Sequence, residues 1–210
     1  ERERGGERER EGGVTSQSFK YACVRAQSVL SASPKHILEL FEDNTRVTEY
    51  NKFFLEGRDL EDVAENTKIV WASSPPIFPF KPRDFCTIVH FRRLKDGTVV
   101  VLNRAAEHNE APVSSNYVRA KIVLGANIIQ PVPKHPNLCK FTMITQVDPG
   151  GFAPPMIVNQ ICTIGPVSFI KQVEAAARRP PSLSVRLLKQ KNQKQNTIAT
   201  SVTGTKKQKK

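Results

Sequence analysis

The sequence predicts an α+β domain in which a mainly antiparallel sheet is crossed by one long C-terminal helix. Three observations predict this fold. Several segments alternate apolar and polar residues with the period of two that a pleated strand requires. The pair Asp96-Gly97 separates two of these segments, which is typical of a tight antiparallel hairpin. Pro-Gly-Gly at 149–151 ends the last of them, and a long segment with helical spacing follows.

Composition separates one domain from two polar flanks. The 210 residues, 39% of them hydrophobic, allow one domain with a sizeable core. Residues 1–13 contain only Glu, Arg and Gly, so we expect a disordered linker there. Residues 182–210 carry eight basic residues and no acidic one, which indicates a disordered basic tail. We therefore assign the domain to residues 14–181.

The first half of the domain begins with a strand and a short helix. Phe19 to Leu30 alternates as a strand does. Ser33-Pro34 then supplies an N-cap and a first-turn proline for a helix. A boundary between elements is expected near Asn51, and Thr67 to Ala72 alternates as a second strand.

A proline-rich loop and a hairpin follow. Ser73 to Pro82 contains four prolines beside Ile77 and Phe78, which predicts a stiff loop that exposes large apolar side chains. Arg83 to Leu94 and Thr98 to Ala105 flank the Asp-Gly turn and are expected to pair.

Two more strands and the terminal helix complete the chain. We predict strands at Tyr117 to Gln130 and Leu138 to Val147, joined through three prolines. The helix is predicted from Pro155 to Arg178 with a kink at Gly165-Pro166, because an internal proline removes a backbone hydrogen bond.

No residue pattern indicates catalysis, a metal site or a cofactor. Nucleophile motifs, phosphate-binding glycine loops and metal-ligand spacings of histidine are not found. The cysteines lie in apolar runs, which predicts reduced thiols in the core. They are Cys23, Cys86, Cys139 and Cys162. The sequence shows neither a membrane-spanning apolar run nor a secretory leader, and a cytoplasmic protein is therefore expected.

Three motifs, in this order, resemble the START-domain lipid-transfer family. They are Arg83-Asp84-Phe85 at a strand start, Ala111-Pro112 with Val118-Arg119-Ala120-Lys121, and Pro149-Gly150-Gly151-Phe152-Ala153-Pro154 before the terminal helix. The resemblance covers about Phe19 to Ala177. It implies a helix-grip fold, in which a curved antiparallel sheet and the kinked C-terminal helix enclose a tunnel for a single lipid. Family members begin with a helix and two strands that have no counterpart here, so the first strand is expected to keep an open edge.

Within that family, the local sequence is most similar to the ceramide-transfer branch, through Leu138-Cys139-Lys140, Ala111-Pro112 and Pro149-Gly150-Gly151. That branch binds the ceramide head group with four polar side chains. Their positions fall on Asn51 (for Glu), Ala72 (for Gln), Asn103 (for Asn) and Met143 (for Tyr). Because only Asn103 is retained, the same hydrogen-bond network is not expected.

The sterol branch implies two further positions. The acidic residue and arginine that it buries in the cavity fall on Val70 and Val89, so this chain lacks that ion pair. The resemblance therefore implies a more apolar cavity lined by Asn51, Val70, Ala72, Val89, Asn103 and Met143. A purely structural role for these side chains stays open, and so does the choice among a ceramide-like lipid, a phospholipid and a sterol.

Three apolar residues are candidates for a membrane gate. Ile77 and Phe78 lie on the stiff loop and Phe152 on the Pro-Gly-Gly turn, and the ceramide-transfer branch has tryptophans at the positions of the two phenylalanines. The alternative is that these rings cap the core. Arg83 and Asp84 are expected to be structural, because neighbouring strand residues point to opposite faces.

Taken together, the sequence predicts a cytoplasmic, peripheral, non-enzymatic protein that binds one lipid and transfers or senses it at membranes. An enzyme on the same fold is the alternative. Nucleic-acid binding through the basic tail is a weaker one, because the tail has no interleaved aromatic residues.

Overall fold

A computed structural model describes residues 20–179, apart from the side chains of six residues near the start of the last helix. The predicted linker (1–13) and basic tail (182–210) lie outside the described residues. The strands are β1 (Val24–Leu30), β2 (Glu56–Ala64), β3 (Thr67–Ser73), β4 (Arg83–Arg93), β5 (Val99–Ala105), β6 (Val118–Arg119), β7 (Lys121–Val132) and β8 (His135–Asp148). The helices are α1 (Pro34–Glu42), α2 (Val47–Tyr50) and α3 (Pro155–Ala177).

The eight strands described form one sheet in the order β1-β8-β7-β5-β4-β3-β2, and every pair along this path is antiparallel. The short strand β6 lies off the path and pairs with the start of β4 in parallel. Strand β1 forms one edge and β2 the other. The predicted α+β helix-grip architecture, an antiparallel sheet with a C-terminal helix, is confirmed.

The first helix forms where the sequence predicted it. The Ser33 hydroxyl accepts a hydrogen bond from the backbone N–H of His36 at 3.2 Å, and Pro34 occupies the first turn. Four apolar side chains on one side of the helix are buried. They are Ile37, Leu38, Leu40 and Phe41.

The core lies between one face of the sheet and the helices α1 and α3. Ile170 and Val173 of α3 are buried in a single cluster with Phe141 of β8 and Ile129 of β7. Helix α3 runs past Pro166 and packs against β1 and β8. Among the described residues, no helix combines the length and the apolar character that crossing a membrane requires.

The hairpin turn at Asp96-Gly97 forms as predicted. Gly97 adopts a φ of +83°, which a residue with a side chain seldom reaches, and the Asp96 carboxylate accepts hydrogen bonds from the N–H and hydroxyl of Thr98. The β7–β8 connection is tighter than the predicted proline linker. Both strands continue into a two-residue turn at Pro133-Lys134, where Lys134 has a φ of +65°.

Three details of the sequence interpretation were wrong. Strand β2 was not predicted, because nearly all of its side chains are exposed and no apolar alternation marks an edge strand of this kind. The predicted strand from Tyr117 is broken at Ala120, because Val118–Arg119 pairs with β4 while β7 pairs with β8. Cys23 is exposed rather than in the core, since it precedes the edge strand β1, whereas Cys86 and Cys139 are buried free thiols.

One end of the sheet gathers most of the long loops. Strands β3, β5 and β8 end there, and β4 and β7 begin there, as the pairs Ser73 with Asp84 and Lys121 with Asp148 indicate. Segments 74–82, 106–117 and 149–154 and the first turn of α3 therefore lie at this end, which we call the loop end.

Candidate functional site

Five of the six predicted lipid-binding residues lie on one face of the sheet. Paired residues of neighbouring strands share a face, and so do residues two apart on one strand. Val89 pairs with Asn103, Asn103 with Gly125, and Gly125 with Thr145, two residues from Met143. Val70 pairs with Thr87, two residues from Val89, and Ala72 is two residues further along β3.

This face is the one that the helices cover, and we call it the helix-facing face. Val89 and Met143 pack against the buried cluster that contains Ile170 and Val173 of α3. Strands of the sheet thus place Val70, Ala72, Val89, Asn103 and Met143 on the apolar side of the domain. Whether a ligand contacts them stays a prediction.

The Asn103 carboxamide extends from β5 across to β7. A Cβ added to Gly125 would collide with the Asn103 side-chain oxygen and would lie 2.6 Å from its Cγ. Gly125 therefore leaves the space that the amide occupies, because any larger residue would displace it. No hydrogen-bond partner of this amide occurs among the described residues, although polar groups on a buried face normally have one.

A second amide on the same face was missed at the sequence level. Asn127 pairs with Val101 on one side and Met143 on the other, so its side chain points the same way as theirs. Its Oδ1 is buried and accepts no hydrogen bond, which is true of no other buried side-chain oxygen or nitrogen in the described part of the chain. The sequence did contain a signal. Gly125, Asn127 and Ile129 are two residues apart on β7 and share a face, and Ile129 is buried, so apolar residues would have been expected at 125 and 127 as well.

The ammonium group of Lys68, which lies two strands away from Asn103, is already neutralised. Lys68 pairs with Val89 across β3 and β4 and therefore lies on the helix-facing face. Its Nζ is 2.9 Å from an Asp59 carboxylate oxygen, and the other Asp59 oxygen accepts a hydrogen bond from Asn44 at 2.6 Å. An anionic ligand would have to compete with Asp59 for this ammonium group.

Asn51, the sixth predicted residue, lies apart from the other five. It ends α2, and its Oδ1 accepts the backbone N–H of Phe53 at 3.0 Å. A pocket of about 250 Å³ separates this segment from α3. Its lining consists of Tyr50, Asn51, Lys52, Phe53, Ile164, Gly165, Ser168, Phe169 and Gln172.

A second pocket of about 300 Å³ lies beside the turn at 149–151, at the loop end. Its lining is Lys20, Tyr21, Val123, Gln146, Val147, Asp148, Gly150 and Gly151. The Gln146 amide donates to the Tyr21 carbonyl at 3.0 Å, and the Tyr21 hydroxyl donates to the Ala153 carbonyl at 3.4 Å. These bonds join the segment before β1 to the turn that leads into α3.

The most exposed large apolar side chains of the described residues all lie at the loop end. Phe78 is 96% exposed, Phe152 86%, Met156 80% and Val113 76%, while Ile77 is 38% exposed. They come from three loops and the first turn of α3, so the chain brings them to one end although they are distant in sequence. Exposed apolar residues at one end of a domain are typical of surfaces that contact an apolar partner, and such a role for these residues stays a prediction.

Arg83 connects two of these loops. Its Nε donates to the Pro149 carbonyl at 3.2 Å, and its guanidinium lies 5.4 Å from the ring centroid of Phe80. The loop of Phe78 and the turn of Phe152 are thus attached to the same side chain. Gly150 and Gly151, with φ of +62° and +55°, press this turn against β6, where an added Cβ would meet the Arg119 carbonyl or the Val118 side chain.

Asp84, the neighbour of Arg83, is 2% exposed and accepts three hydrogen bonds. Arg119 donates to its two oxygens at 2.9 and 2.8 Å, and Trp71 Nε1 donates at 3.0 Å. Burial by itself would raise the pKa of this carboxyl, but the bonds from Arg119 and Trp71 outweigh burial, and the pKa of Asp84 lies below its ordinary value. Arg119 also donates to the carbonyls of Ala111 and Pro112, so the pair attaches the 106–117 loop to the sheet.

Comparison with known proteins gives one family. The sequence model of one protein family, the START domain, matches residues 7–182 of this chain. The steroidogenic acute regulatory protein of Gallus gallus is 26% identical over 143 residues, which are 67% of this chain and 50% of that protein. The ceramide transfer protein of Mus musculus is 28% identical over 129 residues, 54% of this chain and 20% of that protein. The chain thus spans half or less of the length of these relatives.

Solved structures share the fold. Human STARD10 superposes with a TM-score of 0.70 at 20% identity, over 78% of this chain and 66% of that one. The lipid transfer and protein localization domain of human StarD13 superposes with a TM-score of 0.67 at 17% identity, over 77% and 80% of the two chains.

Proposed function

The chain belongs to the START domain family, and we propose that it binds one lipid between the helix-facing face and α3 and carries it to and from membranes without changing it chemically. The observation that carries the proposal is the helix-facing face itself. Residues from β3, β4, β5 and β8 combine there into one mostly apolar surface on the side of the sheet where α1 and α3 pack. Such a surface removes acyl chains or rings from water, and each methylene buried makes the binding free energy more favourable by about 0.8 kcal/mol.

The main source of the affinity is proposed from the polar groups that the helix-facing face lacks. The names of the relatives refer to ceramide and to steroid production, but only Asn103 of the four ceramide-binding side chains is retained, and Val70 and Val89 replace the sterol branch's ion pair. We propose that the apolar part of the lipid supplies most of the affinity. A ceramide-like lipid, a phospholipid and a sterol all remain ligands of this kind.

Lipid exchange is proposed to occur at the loop end. A lipid held under a helix cannot enter water cheaply, so the domain has to open against a bilayer. The exposed rings of Phe78 and Phe152, with Ile77 beside them, offer apolar area for insertion into that bilayer. Arg83 connects their two loops, so movement of one loop would move the other.

We propose that this exchange takes place on membranes facing the cytoplasm. The buried free thiols Cys86 and Cys139 fit a reducing compartment, where cysteines stay unpaired.

Native mass spectrometry after incubation with mixed-lipid vesicles tests the proposal. We expect one lipid adduct per chain, and extraction should return that lipid with its mass unchanged. Absence of any adduct would refute lipid binding, whereas an altered lipid mass would favour an enzyme on the same fold.

Neighbouring residues of β8 provide a matched pair of variants. Met143→Trp would fill the helix-facing face, and Ile144→Trp adds the same ring to the opposite face. We expect the first variant to lose lipid occupancy and the second to keep it. Equal lipid occupancy in the two variants would show that the lipid does not bind on the helix-facing face.

A further inference from the structure

Resting on the proposed lipid-binding function, we propose that Asn127 selects the ligand: the lipid carried by this domain has a free hydroxyl group at its polar end, which donates a hydrogen bond to Asn127 Oδ1. Lipids whose polar end offers only acceptors would be refused.

The first step is the unpaired oxygen. Asn127 Oδ1 is buried and receives no hydrogen bond. Every other buried side-chain oxygen or nitrogen among the described residues has a hydrogen-bond partner. A carbonyl oxygen removed from water without a partner is a costly arrangement in a folded protein. A bound lipid that brings a donor to this oxygen would remove the cost.

The second step is the position of the oxygen. Asn127 lies in the middle of β7, between Val101 and Met143 on the helix-facing face. The Asn103 amide reaches over Gly125, two residues away on the same strand, so both amides lie above β7 about 7 Å apart along it. Two carboxamides without protein partners therefore form a small polar patch on an apolar face.

The third step concerns charge. Both amides are neutral, and the ammonium group of Lys68, two strands away from Asn103, is paired with Asp59 at 2.9 Å. The sheet residues paired with the two amides carry no charge, so the patch offers a phosphate no cation from its immediate neighbours on the sheet: they are Val89, Gly125, Val101 and Met143. The choline head of a phosphatidylcholine carries no N–H or O–H, so it cannot donate to Asn127 either. A neutral hydroxyl meets both conditions, since it needs no cation and can donate a hydrogen bond to Asn127 Oδ1.

The experiment compares hydroxyl lipids with their methyl ethers. The probes are cholesterol, dioleoylglycerol and a ceramide, each beside the same molecule with its hydroxyl groups, and in the ceramide also the amide nitrogen, methylated, and dioleoylphosphatidylcholine. Affinities are measured by displacement of a fluorescent fatty-acyl probe from the full chain. We expect at least one hydroxyl lipid to bind at least about tenfold more tightly than its ether, because the ether leaves the oxygen unpaired.

Variants then assign the preference to Asn127. In Asn127→Leu the difference between alcohol and ether should fall to about twofold or less, because the acceptor is gone. Gln130→Leu is the matched control, since it makes the same kind of change on the same strand but on the opposite face, and it should keep the preference. Should Asn127→Leu fail to fold, Asn127→Ala serves in its place.

Thermal unfolding without lipid separates ligand recognition from a structural role. Replacing an unpaired buried amide by leucine should leave the melting temperature of the lipid-free protein unchanged or raise it. A marked drop in both Asn127→Leu and Asn127→Ala would show that Asn127 has a structural partner and would overturn the proposal. Equal binding of every alcohol and its ether by the wild-type chain would also overturn it while leaving lipid binding intact. Binding of no lipid at all would instead refute the proposed function, and the inference with it.

Discussion

Replacing Asp84 by asparagine should be among the most destabilising single changes in this domain. Asp84 is 2% exposed, and the side chain of its partner Arg119 is 16% exposed, so water cannot solvate an unpaired guanidinium well. Asparagine keeps the size of the side chain but removes the charge that Arg119 faces through two bonds of 2.9 and 2.8 Å. Leaving one member of a buried pair uncompensated costs about 3 to 5 kcal/mol.

The assay is thermal and urea unfolding at pH 7. For a domain of this size each kcal/mol changes the melting temperature by about 2 to 4 °C, so Asp84→Asn should lower it by about 6 to 20 °C. Asp59→Asn is the control: its carboxylate also faces a cation, Lys68, but the Asp59 side chain is 43% exposed, and the expected loss is at most about 1 kcal/mol. A loss below about 1 kcal/mol for Asp84→Asn would refute the argument that this pair stabilises the loop end.

The same pair predicts a pH dependence. The pKa of Asp84 is lower in the folded protein than its ordinary value, so its carboxylate stabilises the fold above the unfolded-state pKa of about 3.9. That stability is lost as the pH falls further, through the folded-state pKa. Wild type should therefore lose stability in acid more steeply than Asp84→Asn. Parallel curves for the two proteins below pH 4 would contradict this.

Three further predictions concern the ligand. Phe78→Ala combined with Phe152→Ala should slow lipid extraction from vesicles while lipid offered in detergent still binds at one per chain; unchanged transfer rates would exclude a gate, and unfolding would favour a capping role for the rings. Asn103→Ala should reduce discrimination among lipids in binding assays and leave the melting temperature nearly unchanged. A large drop in melting temperature with an unchanged lipid preference would show that Asn103 is structural. Shortening an acyl chain by four carbons should cost about 3 kcal/mol, or roughly 200-fold in affinity, whereas equal affinity for short and long chains would rule out the apolar part as its main source.

Local chemistry determined most of the elements. Ser33-Pro34 predicts the start of α1, because a hydroxyl acceptor and a proline without an N–H suit the first helical turn whatever the rest of the chain does. Asp96-Gly97 predicts the β4–β5 hairpin for a similar reason, since few residues other than glycine adopt a φ of +83°. The motifs from Arg83 to Pro154 also carried the family resemblance, which the family match confirms. The roles of the candidate site residues stay predictions.

Only the tertiary structure decided what depends on neighbours distant in sequence. Strand β2 has no apolar pattern and forms because it pairs with β3. Strand β6 is separate from β7, although one continuous strand was predicted there, because β6 pairs with β4. The Asn103 amide lies over β7 only because β5 pairs there with a glycine, Gly125. Asn127 illustrates the physical reason most directly: a sequence shows that a residue is polar, but whether its oxygen has a hydrogen-bond partner depends on atoms that folding brings from other strands.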